Sequence, residues 1–117
     1  MAIKGGCHCG RFAFEVDGAP TQAMECNCSH CARKGFLLWF VPADQFRLTA
    51  GDAAEMTLYT FNKGVIEHRF CPTCGVQPFA RGKPPGAPAE MVAVNLRTVP
   101  DFDRGSVQIV PVDGKSF

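Results

Sequence analysis

Seven cysteines lie in three tight groups: Cys7-x-Cys9, Cys26-x-Cys28-x-x-Cys31 and Cys71-Pro72-Thr73-Cys74-Gly75. None stands outside a group. Thiolates are soft ligands, and four of them in a tetrahedron suit Zn²⁺. Four thiolates close a site and make it structural, whereas three leave a position open for water or substrate. Seven ligands divide into four plus three. The count therefore predicts one ion that holds the fold and one that does chemistry.

The Cys71–Gly75 segment is the most specific local motif. Pro72 presets φ and Gly75 tolerates a positive φ, so the turn aims both sulfurs at one point with backbone N–H groups facing them. A redox Cys-x-x-Cys of the thioredoxin type belongs at a helix start in a βαβ pattern; strand-like sequence flanks this one. Such a knuckle supplies two ligands and needs two more. Cys26, Cys28 and Cys31 lie within six residues and can chelate one ion locally, whereas Cys7 and Cys9 cannot complete a site alone. The economical partition puts Cys7, Cys9, Cys71 and Cys74 on one Zn²⁺ and Cys26, Cys28 and Cys31 on another. A partition in which Cys26 and Cys28 join the knuckle is the alternative. Closing the loop from Cys9 to Cys71 adds only a logarithmic entropy cost. Four thiolates leave the first ion dianionic and saturated. Three leave the second monoanionic, with an exchangeable position that can take a thiolate or polarise an oxygen. Electron donation from sulfur weakens its Lewis acidity, which favours sulfur chemistry over hydrolysis.

The neighbours of the triad admit competing roles. His30 is a candidate fourth ligand, a candidate base for a nucleophilic cysteine, or neither, because adjacency to Cys31 makes both geometries awkward. Cys28 and Cys31 also form a candidate redox pair. Arg33 and Lys34 follow directly, and two cations beside an anionic centre suit the carboxylates of an anionic thiol; the plainer reading is a solvated turn. His8 reads as solvated, and His68, within a strand-like run, as structural. Phe36, Trp39 and Phe40 read as core, with a pocket wall as the alternative.

At 117 residues the chain is expected to form one domain spanning residues 1–117, with a core modest enough for a metal cross-link to matter. Lys plus Arg is 12 and Asp plus Glu is 11, a net charge of +1, which argues against bulk binding to nucleic acid or anionic membrane. Residues 1–6 carry no apolar signal-peptide core, and no apolar run approaches membrane-spanning length. A cytoplasmic location follows as an expectation, and in that reducing setting clustered cysteines read as ligands rather than disulfides. Strand signals dominate, over residues 11–17, 36–41, 46–49, 56–61, 66–70, 76–80, 91–95 and 107–110. The run 36–41 (FLLWFV) reads as a strand buried on both faces. Asn62-Lys63-Gly64 predicts a hairpin turn and residues 84–88 a proline-rich loop. One helical turn is predicted over residues 29–34, with Ser29 as its N-cap. The sum is a mostly β, largely antiparallel zinc-bound domain with short helical turns.

The three groups, in this order and spacing, resemble the glutathione-dependent formaldehyde-activating enzyme family, also called the centromere protein V domain. The matching stretches are Gly6-Cys7-His8-Cys9-Gly10, residues 26–35 (CNCSHCARKG), residues 64–75 (GVIEHRFCPTCG) and, more loosely, Val112-Asp113-Gly114-Lys115. The resemblance implies a β-rich fold of the Mss4-like, or β-tent, type. It implies a structural zinc on Cys7, Cys9, Cys71 and Cys74 and a catalytic zinc on Cys26, Cys28 and Cys31. It also implies a carbon–sulfur lyase. The reaction that names the family joins formaldehyde and glutathione into S-hydroxymethylglutathione. The leading expectation is thus a zinc-dependent carbon–sulfur lyase on a small thiol adduct, with glutathione as one candidate thiol. Two rivals use the same residues: a non-catalytic zinc module that binds protein or nucleic acid, and a redox or zinc-exchange protein.

Overall fold

The structure is a computed structural model that describes residues 2–61, 64, 66–83 and 87–114. Its strands are β1 (Ala2–Gly6), β2 (Ala13–Asp17), β3 (Gln22–Cys26), β4 (Leu38–Pro42), β5 (Phe46–Ala50), β6 (Thr57–Tyr59), β7 (Glu67–Phe70), β8 (Phe79–Gly82), β9 (Met91–Asn95) and β10 (Gln108–Val112). One helix, α1 (Ser29–Lys34), joins β3 to β4, and short 3-10 turns link other strands. The fold is mostly β, as the sequence predicts. None of the described helices is long and apolar enough to cross a membrane.

Two sheets form. The smaller has the order β1-β2-β5 and is antiparallel. The larger has the order β10-β3-β4-β9-β8-β7-β6, and only its β10–β3 pair is parallel. The period-2 alternation of β2 decides how the small sheet packs: Phe14 and Val16 are buried while Glu15 faces out. Glu15 meets Lys4 and Arg47 on that outer face, where exposed ion pairs contribute less than about 1 kcal/mol. The inner face meets the large sheet through Phe46, whose ring lies 5.3 Å from Phe14 and 4.7 Å from Phe79. Val41, Val92 and Val94 complete the large sheet's side of this core.

Residues paired directly across strands point to one face. On the large sheet, register aligns Tyr59, His68, Ala80, Ala93 and Phe40 in one row. This row faces away from the main core. The alanines keep its centre low, and Cys31, Phe36 and Leu38 pack there as a second apolar cluster. Helix α1 therefore sits on the outer face, and the large sheet has a structural side and a side that carries α1.

Several expectations need correction. Strands β1 and β3 carried no signal. The segment 76–80 enters the ladder only at Phe79, because Gln77 and Pro78 are occupied in capping the strand's start, where the Pro78 carbonyl accepts from Asn95 N at 2.9 Å. The run 36–41 is not buried on both faces: Phe36 and Leu37 precede β4, and Phe40 is 36% exposed. Helix α1 has six residues, about 9 Å, too short to reach over Phe40. Strands β6 and β7 pair as the predicted hairpin, although Asn62 and Lys63 of its turn, and Pro84, Pro85 and Gly86 of the proline-rich loop, lie outside the described residues.

Because Phe46 joins the two sheets, Phe46→Ala is expected to lower unfolding free energy by roughly 3–5 kcal/mol. Phe40→Ala, at a half-open position, is expected to cost less than about 1.5 kcal/mol. Urea denaturation of the two variants checks this, and equal losses would contradict the packing described.

Candidate functional site

Strand β1 ends just before Cys7, and a tight turn returns the chain so that Phe12 O accepts from Cys7 N at 3.0 Å. The same pairing lets Phe12 N approach Cys7 Sγ at 3.4 Å. The knuckle follows β7. Gly75 takes φ +79°, and the N–H groups of Thr73 and Cys74 face Cys71 Sγ at 3.4 and 3.5 Å. The sulfurs of Cys7 and Cys71 each lie 3.6 Å from that of Cys9, and all four of the group come within 4.8 Å of one another. No cysteine is in a disulfide. The Val76 and Cys9 N–H groups hold the Cys74 thiol down to about 6. This favours the thiolate a metal needs. The four-sulfur group could hold a metal ion. Cys71 is fully buried and Cys7 nearly so, so an ion here would sit at the joint between the sheets.

The second group is built where β3 passes into α1. Cys26 closes the strand, Cys28 caps the helix and Cys31 points into the second apolar cluster. The cap is Cys28 rather than Ser29: Cys28 keeps an extended backbone (φ −60°, ψ 158°), and its sulfur accepts from Cys31 N at 3.3 Å. Cys28 N faces Cys26 Sγ at 3.5 Å. The three sulfurs lie within 4.8 Å of one another and could hold a metal ion. They form a group of their own, and Cys26 and Cys28 do not join the knuckle. Burial raises the Cys28 thiol, but hydrogen bonds from Cys31 and Cys26 outweigh it and the net shift is downward. Burial and the two neighbouring sulfurs push Cys31 up. Together the shifts make Cys28 the readier thiolate of the two when no ion is bound.

Residues 112–114 form a wall of this group. Parallel pairing of β10 with β3 sets Val112 beside Cys26. Asn27 donates from its N–H to Val112 O at 3.0 Å and from Nδ2 to Asp113 Oδ1 at 2.9 Å. Gly114 then lies so close that a Cβ at this position would overlap the Cys26 sulfur. Sequence reasoning missed this part of the site. The signal was the glycine within the loosely matching tail, needed where backbone approaches a ligand closely.

His30 does not join the three sulfurs. Its ring packs 4.1 Å from His68, 5.1 Å from Phe61 and 5.5 Å from Tyr59. His68, expected to be structural, belongs to this cluster. It is buried, and Gln77 Nε2 lies 3.1 Å from its Nδ1. The same Nε2 donates to Phe79 O at 3.3 Å. One amide hydrogen therefore goes to that carbonyl and the other to His68, so Nδ1 accepts and Nε2 carries the imidazole proton. Burial, with the neighbouring His30 and Lys34 charges, pushes His68 down to about 4, which keeps it neutral at pH 7. His8 is exposed between its two cysteines.

A pocket of about 530 Å³ opens between α1 and the β6–β7 end of the sheet. His30, Tyr59, Phe61 and Phe70 supply its rings, and Arg33 and Lys34 its charges. Arg33 Nη1 donates to Ser29 O at 3.0 Å, and Lys34 Nζ lies 5.0 Å over the Phe70 ring. The expected substrate-binding pair thus lines a pocket. Phe36 packs against His30 at 5.7 Å. Trp39 and Phe40 border a separate depression of about 160 Å³.

A small β domain with one closed group of four cysteines and a separate group of three defines the class: a compact sulfur-ligand domain with two candidate metal sites. The model of the family described as glutathione-dependent formaldehyde-activating enzyme matches residues 2–110, and the chain belongs to that family. It is also similar, at 31% identity and a TM-score of 0.76, to a crystal structure of a Rhodobacter sphaeroides protein that was a structural-genomics target. The match covers 93% of this chain and 98% of that one.

Gly114→Ala is expected to weaken metal binding by the Cys26–Cys28–Cys31 group roughly 10–100-fold and to leave the four-cysteine group unaffected. Competitive cobalt titration followed by thiolate-to-metal absorption checks this. Equal weakening of both groups would show that the tail acts on the whole fold.

Proposed function

We propose that this protein is a zinc-dependent carbon–sulfur lyase acting on a small thiol adduct, with S-hydroxymethylglutathione or a related glutathione conjugate as candidates. The observation that carries this reading is the unequal ligand count: four sulfurs close one group, and three gather alone where β3 runs into the helix that also bears two pocket-lining cations. Zinc suits the four-cysteine group, since Zn–S bonds of about 2.3 Å separate tetrahedral sulfurs by roughly 3.8 Å, close to the 3.6 Å separations around Cys9, and the triad offers the same soft thiolate ligands.

In this reading Cys7, Cys9, Cys71 and Cys74 hold a structural zinc, and Cys26, Cys28 and Cys31 hold a second one with an exchangeable position. Cys26, Cys28 and Cys31 would hold the second zinc, whose exchangeable position would accept the substrate sulfur and lower its pKa. The chain supplies the rest. The Cys31 N–H keeps Cys28 facing the site, and Gly114 narrows the side next to Cys26. Arg33 and Lys34 are suited to anchor a carboxylate of the substrate. In the cleavage direction the C–S bond breaks and its electron pair stays on sulfur. The hydroxyl oxygen of the adduct becomes a carbonyl oxygen, and its proton balances the released thiol. No oxidant or reductant is needed.

Cys28→Ser is expected to reduce zinc from two to one per chain, to keep the circular-dichroism spectrum and to abolish turnover of the thiol adduct. A variant that binds one zinc fewer yet still turns over the adduct would sink the reading. Cys71→Ser, by contrast, is expected to fail to fold stably, because it opens the four-thiolate site.

A further inference from the structure

The pocket beside α1 has a chemistry that glutathione does not fill. Three of its rings run close to parallel: His30 with Tyr59 at 17°, His30 with Phe61 at 29° and Tyr59 with Phe61 at 25°. They present a flat apolar wall, and Tyr59 leaves 48% of its surface uncovered. Both charged groups among the described lining residues are cations, Arg33 and Lys34, and none of those residues is acidic. The acid of β7, Glu67, lies one residue from His68, so it points to the other face of the sheet, where it meets Arg69.

Each cation is held with donors to spare. Arg33 spends one N–H on Ser29 O and keeps the remainder of its five-donor fork. Lys34 is steadied over Phe70, a contact that fixes the ammonium without using its hydrogens. A ligand matched to this lining carries an anion for the two cations and a flat face for the rings. Glutathione offers no flat face, and its ammonium would find no carboxylate among these residues. The volume of about 530 Å³ falls in the range of pockets that enclose a small organic molecule.

Resting on the lyase reading for its role, we infer that this pocket binds a flat, conjugated or aromatic group bearing a carboxylate, as the carbon half of the thiol adduct. The ring lies against Tyr59, Phe61 and His30, and the carboxylate meets Arg33 and Lys34. The placement suits catalysis. Cys28 caps α1 and Cys31 lies within it, beside His30 and Arg33, so the pocket and these two sulfurs are separated by no more than about 9 Å of rise along the helix axis. Binding energy gained on a remote part of a substrate can be spent on aligning the reacting bond.

The test uses the full-length, reduced, zinc-loaded protein labelled with ¹⁵N. It is titrated with 2-naphthoate, with 2-naphthylmethanol (flat, no anion), with cyclohexanecarboxylate (anion, not flat) and with S-methylglutathione. Saturable amide shifts in residues 29–34 and 59–61 are expected with naphthoate, and binding roughly tenfold weaker or worse with each other probe. Arg33→Gln and Tyr59→Leu are each expected to weaken naphthoate by a similar factor. Naphthoate that binds no better than cyclohexanecarboxylate, or that shifts other residues, overturns the inference. The lyase reading fails separately. If naphthoate binds as described but no adduct, aromatic or aliphatic, is turned over, the pocket assignment stands and the lyase falls. If an aliphatic glutathione adduct is turned over while naphthoate does not bind, the lyase stands and the aromatic class falls.

Discussion

The turn after β1 must meet the knuckle after β7, although 62 residues separate Cys9 from Cys71. In a chain of 117 residues the hydrophobic core alone leaves a narrow margin. Four sulfurs meeting at one point bring together two turns far apart in the chain. They join the edge of the small sheet to the large one and bury Cys7 and Cys71 with the main core. Both turns are shaped for that meeting, because their N–H groups already face the sulfurs. An ion there would add to folding what it gains in binding.

That joint frees the other side of the large sheet. The inner face spends its valines and phenylalanines on the core. The outer face has two alanines at its centre, and α1 settles on them with Cys31 and Phe36. The helix that carries Cys31, with Cys28 at its cap, therefore also forms one side of the ring-lined pocket, on a scaffold fixed elsewhere. Cys26 stands on a strand, Cys28 on a helix cap and Gly114 just past β10, so three elements position one site. Sites held by regular elements keep tighter geometry than sites on loops.

Much of the site was legible in the sequence and much of the sheet was not. Cysteine spacing is a local chelation constraint, so the two sulfur groups could be read from intervals alone. Strand β3 (QAMEC) is rich in helix formers, and only its neighbours β10 and β4 make it a strand. Strand β1 ends in two glycines and has little propensity of its own. The parallel β10–β3 pair, and with it the approach of Gly114 to Cys26, has no local signature at all. His30 shows the same limit: the sequence left it open between ligand, base and neither, while its ring belongs to a cluster with side chains of β6 and β7. The pocket needed the sheet order before it could be seen.

The central claim is that the two sulfur groups make unlike metal centres. Cadmium-113 NMR of the reduced protein loaded with two cadmium ions tests it most directly. Two resonances are expected: one at the far downfield position of four thiolates, indifferent to added thiol, and one upfield of it that moves downfield when a small thiol is added. A single resonance, or two four-thiolate resonances that ignore added thiol, would contradict a closed centre beside an open one.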